Sequence, residues 1–401
     1  MKTNDLRGAA RLAADATAGL TDLVEAMHES IARLPGGGAP LDGRTNGITG
    51  LVYQSIRGVT RVVGGSVDAL LALIAPALAA DAPAAPPRRE REAVVAVLNG
   101  VLGDHLAASG NPLAITMALR TEGRTLPLDH EALAARLPDA RPTMVVLLHG
   151  LCMNDLQWRR NGHDHGAMLA QALDATPVYL HYNTGLPIAE NGRQFAGLMA
   201  RLLAAWPVPL QRLVLLTHSM GGLVARSALL QAAAGGLAWP AQVDDLVFLG
   251  TPHHGAPLER AGHGVDLLLG AAPYAAPLAR LGRVRSAGIT DLRHGLSGPH
   301  HTPLPLPAGP RCWAVAATLG EGTGALKGRL FGDGLVPVDS ALGRHRDAAH
   351  TLAFSSDRQF VVHQTGHLDL LDSPEVAQRL QYWLSCGASR AGATPAAPAP
   401  A

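Results

Sequence analysis

The stretch that most limits how this chain can fold is Leu213-Val214-Leu215-Leu216-Thr217-His218-Ser219-Met220-Gly221-Gly222-Leu223-Val224-Ala225-Arg226-Ser227. The aliphatic run at its start suits a strand buried on both faces of a parallel sheet. Small residues then impose a sharp turn, and Met220 to Ala233 reads as helix. Ser219 stands at the tip of the turn, in the pattern of the nucleophile elbow, G-x-S-x-G, which holds a serine hydroxyl clear of the backbone. Strand and helix nearly touch at such a turn, so small residues are needed two before and two after the serine. Gly221 meets the second requirement. Thr217 replaces the usual glycine at the first. Taken alone, the pattern fits a buried serine in an ordinary strand–turn–helix equally well, so other parts of the chain must decide.

Elements on both sides of the turn alternate in type. A hairpin is expected from Leu113 to Arg120 and near Leu126. Met144 to Leu148 reads as a buried strand ending at His149-Gly150-Leu151. His165 to Leu173 is helix, Val178 to His181 strand and Ala189 to Ala204 helix. After the elbow comes a strand from Asp244 to Leu249, ending at Gly250-Thr251-Pro252-His253-His254-Gly255. The rhythm breaks from Ala256 to Arg311, which reads as an inserted cap. Cys312 to Ala317 resumes the sheet, and Thr351 to Phe354 is predicted as the last strand. Ser373 to Ser385 is a closing helix, with Ser373 as cap and Pro374 at the first position. Strands alternating with helices mean a doubly wound, mostly parallel α/β sheet.

A serine hydroxyl becomes a nucleophile only with a base in reach, an orienting group behind the base, and donors for the oxyanion. The Met220 amide, next after the serine, is one expected donor. The Leu151 amide, in the loop after the earlier strand, is the second. Asp333, at the loop tip Gly332-Asp333-Gly334-Leu335-Val336-Pro337, is the candidate acid, with Asp339 as the alternative. His367, in Thr365-Gly366-His367-Leu368-Asp369, is the candidate base, with His363 as the alternative. The spacing of His363 and His367 also fits a zinc helix, but Gln364 replaces the glutamate such a helix needs and Gly366 disfavours helix. His149, Gly150, His218, His253 and His254 are grouped around the substrate. Of these, His253 and His254 are expected at the pocket floor, and His218 also reads as structural. His163-Asp164-His165 reads as a helix start. Tyr182-Asn183-Thr184-Gly185 and Glu190-Asn191-Gly192-Arg193 either line the cleft or cap a helix.

These motifs, from His149-Gly150-Leu151 through Thr217-His218-Ser219-Met220-Gly221-Gly222 and Gly250-Thr251-Pro252-His253-His254-Gly255 to Asp333-Gly334-Leu335-Val336 and Gly366-His367, occur in the order seen in α/β-hydrolase lipases and esterases. The chain resembles bacterial true lipases and inositol-deacylase-like esterases over roughly residues 110 to 386. The resemblance implies an α/β-hydrolase fold with a cap and a triad of Ser219, Asp333 and His367. It also implies a carboxyl-ester hydrolase working through an acyl-enzyme. Lipases of this kind can hold a structural calcium with an Asp two residues after the catalytic His. Asp369 matches that position, but Ser373 stands where a Gln is expected. No cofactor is required. An acyltransferase using the same triad, and a binding protein that keeps only the fold, are the alternatives.

The domain expectation is an N-terminal helical region over 1–108, a hydrolase domain over 109–386 with its cap at about 256–311, and a disordered tail over 387–401. In the first region, residues 5 to 34 read as amphipathic helix, Thr49 to Ala80 as a second helical segment, and Glu92 to Ala108 as a third. Asp5, Arg7, Arg11 and Asp15 interrupt any apolar signal segment. Ala69 to Ala80 is too short to span a bilayer, which takes about 20 apolar residues, although peripheral membrane contact stays open. The net charge of +1 argues against nucleic acid as a partner. Three cysteines, far apart in sequence, fit a reducing compartment and a cytoplasmic location. The expected partner is a small-molecule or lipid ester, bound by a cap whose Leu267-Leu268-Leu269 and Tyr274 favour an apolar acyl group.

Overall fold

The computed structural model describes residues 4–15, 54, 89–256, 286–296, 304–321 and 332–386. The tail over 387–401, most of the two N-terminal helical segments, and the cap apolar cluster with Tyr274 lie outside the described residues. The chain divides into two compact units. One is Met1–Pro86 with His105–Ala114, and the other is Pro87–Asp104 with Ile115–Ala401. Within the first, Asn111 donates from Nδ2 to the Gly8 carbonyl (3.0 Å) and Arg11 donates to the Gly110 carbonyl (3.0 Å). Among the described residues no helix is long and apolar enough to cross a membrane.

The second unit is built on an eight-stranded sheet. Its strands are β1 (Ala118–Thr121), β2 (Arg124–Thr125), β3 (Thr143–Leu148), β4 (Ala175–His181), β5 (Arg212–His218), β6 (Val243–Leu249), β7 (Arg311–Thr318) and β8 (Gln359–His363). They lie in the order β2-β1-β4-β3-β5-β6-β7-β8. The β1–β2 hairpin adds antiparallel to β4, and every other pairing is parallel. The helices are α1 (Arg89–Ala108), α2 (His130–Arg136), α3 (His165–Leu173), α4 (Ile188–Ala205), α5 (Met220–Ala234), α6 (Ala287–Leu292), α7 (Val338–Ala341) and α8 (Pro374–Cys386).

Side chains alternate across each strand, so every central strand feeds two layers. Val145, Leu147, Val214, Leu216, Val247, Leu249, Val315 and Val362 pack with Leu169 of α3 and with Val376, Leu380 and Trp383 of α8. The intervening residues face the other layer, where α4 and α5 pack on each other. A carboxylate pins the amino-terminal end of this sheet. Asp245, fully buried, accepts from Arg212 Nη2 (2.7 Å), Arg311 Nε (2.9 Å) and Nη2 (2.8 Å), and Trp313 Nε1 (2.9 Å).

The parallel register brings the carboxyl ends of β3, β5, β6, β7 and β8 to one rim. Leu148 pairs with Thr217, His218 with Leu249, and Thr318 with His363. The loops after these strands carry His149, Ser219, Gly250, Asp333 and His367. The last strand differs from the expectation at Thr351 to Phe354. That segment is extended, but Leu352 bonds the Gly343 carbonyl from its amide (2.8 Å) instead of joining the ladder. The Phe354 ring packs edge-on against Phe248. Gln359–His363 pairs with β7 in its place.

The α1 residues of this unit lie against the loops after β3 and β4. Asn183 donates from Nδ2 to the Gly103 carbonyl (2.9 Å), and a side chain at Gly185 would strike the Asn99 carbonyl at 2.2 Å. Arg89-Glu90-Arg91-Glu92 opens α1, and Glu92 pairs with Arg120 of β1 (3.2 Å).

Candidate active site

Ser219 joins β5 to α5 with φ 54° and ψ −125°. A side chain rarely adopts this conformation, and such strain persists only where surrounding structure over-determines it. Here the Ser219 amide donates to the Leu249 carbonyl of β6 (2.8 Å), and the Ser219 carbonyl accepts from Gly222 (3.1 Å). Close packing explains the small residues after it. A side-chain carbon at Gly221 would lie 2.4 Å from the Leu148 carbonyl and 2.7 Å from that of His149. Thr217 is accommodated at the other small-residue position because its hydroxyl donates to the Val247 carbonyl (2.8 Å).

His367 and Asp333 meet at the same rim. Nδ1–H of His367 donates to Asp333 Oδ2 at 2.7 Å, and both side chains are almost wholly buried. The other carboxylate oxygen accepts from the amides of Leu335 (3.0 Å) and Val336 (2.8 Å). The His367 amide donates to the Asp333 carbonyl (3.1 Å), so backbone as well as side chain fixes the pair. This bonding leaves Nε2 as the basic nitrogen of the ring. The imidazole passes Gly250, where an added carbon would lie 3.2 Å from its Cε1 and Nδ1. Gly250 directly follows Leu249, whose carbonyl holds Ser219.

The loop after β3 abuts the serine: an added carbon on Gly150 would lie 3.0 Å from Ser219 Cβ. Among the described residues, the amides of Leu151 and Met220 have no acceptor. Met220 opens α5, where unpaired amides and the helix dipole favour negative charge. Buried groups brace the loop from behind. Tyr182 donates its hydroxyl to the His149 carbonyl (2.8 Å) and stacks on the His149 ring (4.5 Å between centroids). The Cys152 amide, at φ 59°, donates to Thr184 Oγ1 (3.1 Å). Tyr182 and Thr184 therefore brace the loop after β3. Burial pushes His149 down to about 3 and the Cys152 thiol up to about 12, so both stay neutral.

The remaining sequence candidates are spread more widely. His218 is fully buried and donates from Nε2 to the His367 carbonyl (3.0 Å), with the two rings 4.8 Å apart. Burial holds it well below its ordinary value, with the nearby His367 adding to that. The His218 ring therefore lies against His367. His253 is also buried, accepting from Arg226 Nη1 (3.2 Å) at its Nδ1. His254 is half-buried and donates to the Gly343 carbonyl (3.0 Å). Asp339 lies in α7, and His363 ends β8. Asp369 accepts from the Gly366 amide (3.0 Å) and pairs with Arg160 (3.2 Å). No group of three or more potential metal ligands occurs among the described residues. His163 and His165 bond each other (2.8 Å), His165 holds the Leu370 carbonyl (2.9 Å), and Asp164 caps α3.

Arg226 carried no signal in the sequence beyond its place in a helix. It is almost wholly buried, and besides His253 it bonds the carbonyls of Leu304 (2.5 Å) and Pro305 (3.2 Å). It therefore ties the chain that returns to β7 onto α5, the helix that follows Ser219. Burial lowers it to about 10.

Sheet order, crossover helices and the strained serine at the rim define an α/β-hydrolase fold. In sequence, residues 198–291 match the family model described as the PGAP1-like alpha/beta domain. No curated protein shows significant sequence similarity to the chain. Among solved structures, the mature lipase BlEst2 of Bacillus licheniformis is similar at 17% identity and TM-score 0.39, covering 68% of this chain and 98% of its own. An esterase from Thermogutta terrifontis is similar at 15% identity and TM-score 0.37, covering 62% and 91% respectively. The thioesterase RedJ of Streptomyces coelicolor is similar at 18% identity and TM-score 0.37, covering 62% and 92%. These likenesses are too low to bear on the reaction.

Proposed function

We propose that the chain is a serine hydrolase of carboxyl esters. The carrying observation is a serine held at φ 54° on the same sheet rim as a buried imidazole–carboxylate pair 2.7 Å apart. In this reading Ser219 Oγ attacks the acyl carbon while His367 Nε2 takes the hydroxyl proton. The amides of Leu151 and Met220 receive the oxyanion. As the ester C–O bond breaks, His367 returns the proton to the departing alcohol. His367 then takes a proton from water as it attacks the acyl carbon, and returns it to Ser219 Oγ as the acyl–serine bond breaks and the acid leaves. Asp333 orients the imidazole and stabilises its protonated form.

A panel of p-nitrophenyl esters of rising chain length tests this reading. The expected result is saturable hydrolysis that is lost in Ser219→Ala. Products are then compared with and without added alcohol. Free acid as the main product supports hydrolysis, and a dominant new ester would assign acyl transfer instead. A folded protein that turns over no ester in the panel overturns the proposal.

A further inference from the structure

A cavity of about 550 Å³ lies beyond the Asp333 loop, lined in part by His254, Arg293, Asp339, Arg344, His345 and Arg346. Its size falls in the range of small-molecule sites. The guanidinium groups of Arg293, Arg344 and Arg346 and the carboxylate of Asp339 are part of this lining. Arg344 bonds a neutral partner, Gln359 Oε1 (2.8 Å), so its charge is not cancelled. Neither Arg344 nor Arg346 makes an ion pair with a carboxylate among the described residues. The His345 ring accepts the Asp347 amide at Nδ1 (3.1 Å), which leaves Nε2–H as a donor.

The backbone around the cavity is firmly built. Ser340 Oγ donates to the Gly255 carbonyl (2.8 Å) and accepts from the His254 amide (3.2 Å). Arg344 is fixed through its own amide to the Asp339 carbonyl (2.7 Å). Guanidinium forks match the oxygens of phosphate in pairs, which makes arginine the preferred residue for that group. Gly255 and Pro337 also line the cavity, and they belong to the loops that follow β6 and β7 at the active rim.

We infer that this cavity is an anion site that takes a phosphate group, supplied either by the ester substrate or as free phosphate. The binding claim stands by itself, whereas assignment to the substrate rests on the hydrolase reading above. The test is calorimetric titration of the full chain with inorganic phosphate, repeated on Arg346→Ala and on the double variant Arg344→Ala/Arg346→Ala. Circular dichroism checks that each variant is folded. Arg346 is exposed, so the single variant keeps the test open if the double one unfolds. Saturable binding is expected, weaker in the single variant and about tenfold weaker or more in the double variant. No saturable binding, or equal affinity in the folded variants, overturns the inference.

A kinetic arm identifies the source, using a monoacylglycerol phosphate against the monoacylglycerol of equal chain length. A KM raised about tenfold by the double variant for the phosphorylated ester alone assigns the phosphate to the substrate. Loss of phosphate binding with both KM values unchanged assigns free phosphate. If neither ester is hydrolysed, the assignment of the phosphate to the substrate fails, while the titration still judges the site and the ester panel still judges the hydrolase reading.

Discussion

At the scale of single residues, Asp333 and His367 are held by bonds that another residue would break. Asp333 accepts from three donors, one of them His367 Nδ1, while Asp339 lines the cavity beyond. Asp333→Asn should therefore lower kcat by about 10⁴, the size found when a triad acid is replaced by its amide. Asp339→Asn should leave it within about twofold, since this side chain touches no reacting group. Steady-state kinetics on one ester separates the two, and a severe loss in Asp339→Asn would reassign the acid. His218 illustrates what sequence did not reveal. Its place between Thr217 and Ser219 was legible, but its bond to the His367 carbonyl joins residues from two distant loops. The loops of Ser219 and Asp333 were readable because they follow the aliphatic-rich strands β5 and β7, whereas the loop of His367 follows β8, whose pattern is faint.

Elements succeed or fail in sequence according to how completely they are buried. β3, β5 and β6 are nearly continuous aliphatic runs covered on both faces, so their periodicity marks them plainly. β8 is an edge strand in which only Val362 is buried, so its pattern is faint. Leu352 and Phe354 alternate more clearly, yet their side chains fill space beside Gly343 and Phe248 without joining the sheet. The elbow gives the sharpest prediction for an element. Gly221→Ala places a carbon 2.4 Å from the Leu148 carbonyl, and backbone cannot yield cheaply. A loss of about 2 kcal/mol or more is expected in denaturant unfolding. Asp245→Ala should cost about 3–5 kcal/mol, because it leaves two arginines and a tryptophan N–H without their buried acceptor. A melting temperature within a degree or so of the parent would contradict either account.

The molecule as a whole keeps several histidines neutral by burial. His149 is held down to about 3 and His165 to about 4, with His218 and His253 also well below their ordinary value. In the unfolded chain these rings protonate near 6.5. The unfolded state thus binds more protons as pH falls through 6.5 toward 3. Folding stability should drop across that window, by up to about 1.4 kcal/mol per pH unit for each ring. Chemical denaturation at a series of pH values reads this directly, and a flat profile below pH 6.5 would contradict it. The parallel architecture was legible from the strand–helix alternation. The attachment of α1 to the loops after β3 and β4 was not, because it runs through backbone carbonyls such as those of Asn99 and Gly103.

The central claim is that Ser219 is the nucleophile, activated by His367. Mass mapping after treatment with a fluorophosphonate tests it most directly. The account predicts one phosphonyl adduct, on the peptide carrying Ser219, absent from Ser219→Ala and formed far more slowly in His367→Ala. A folded protein that takes no label, or takes it on another residue, would contradict the account.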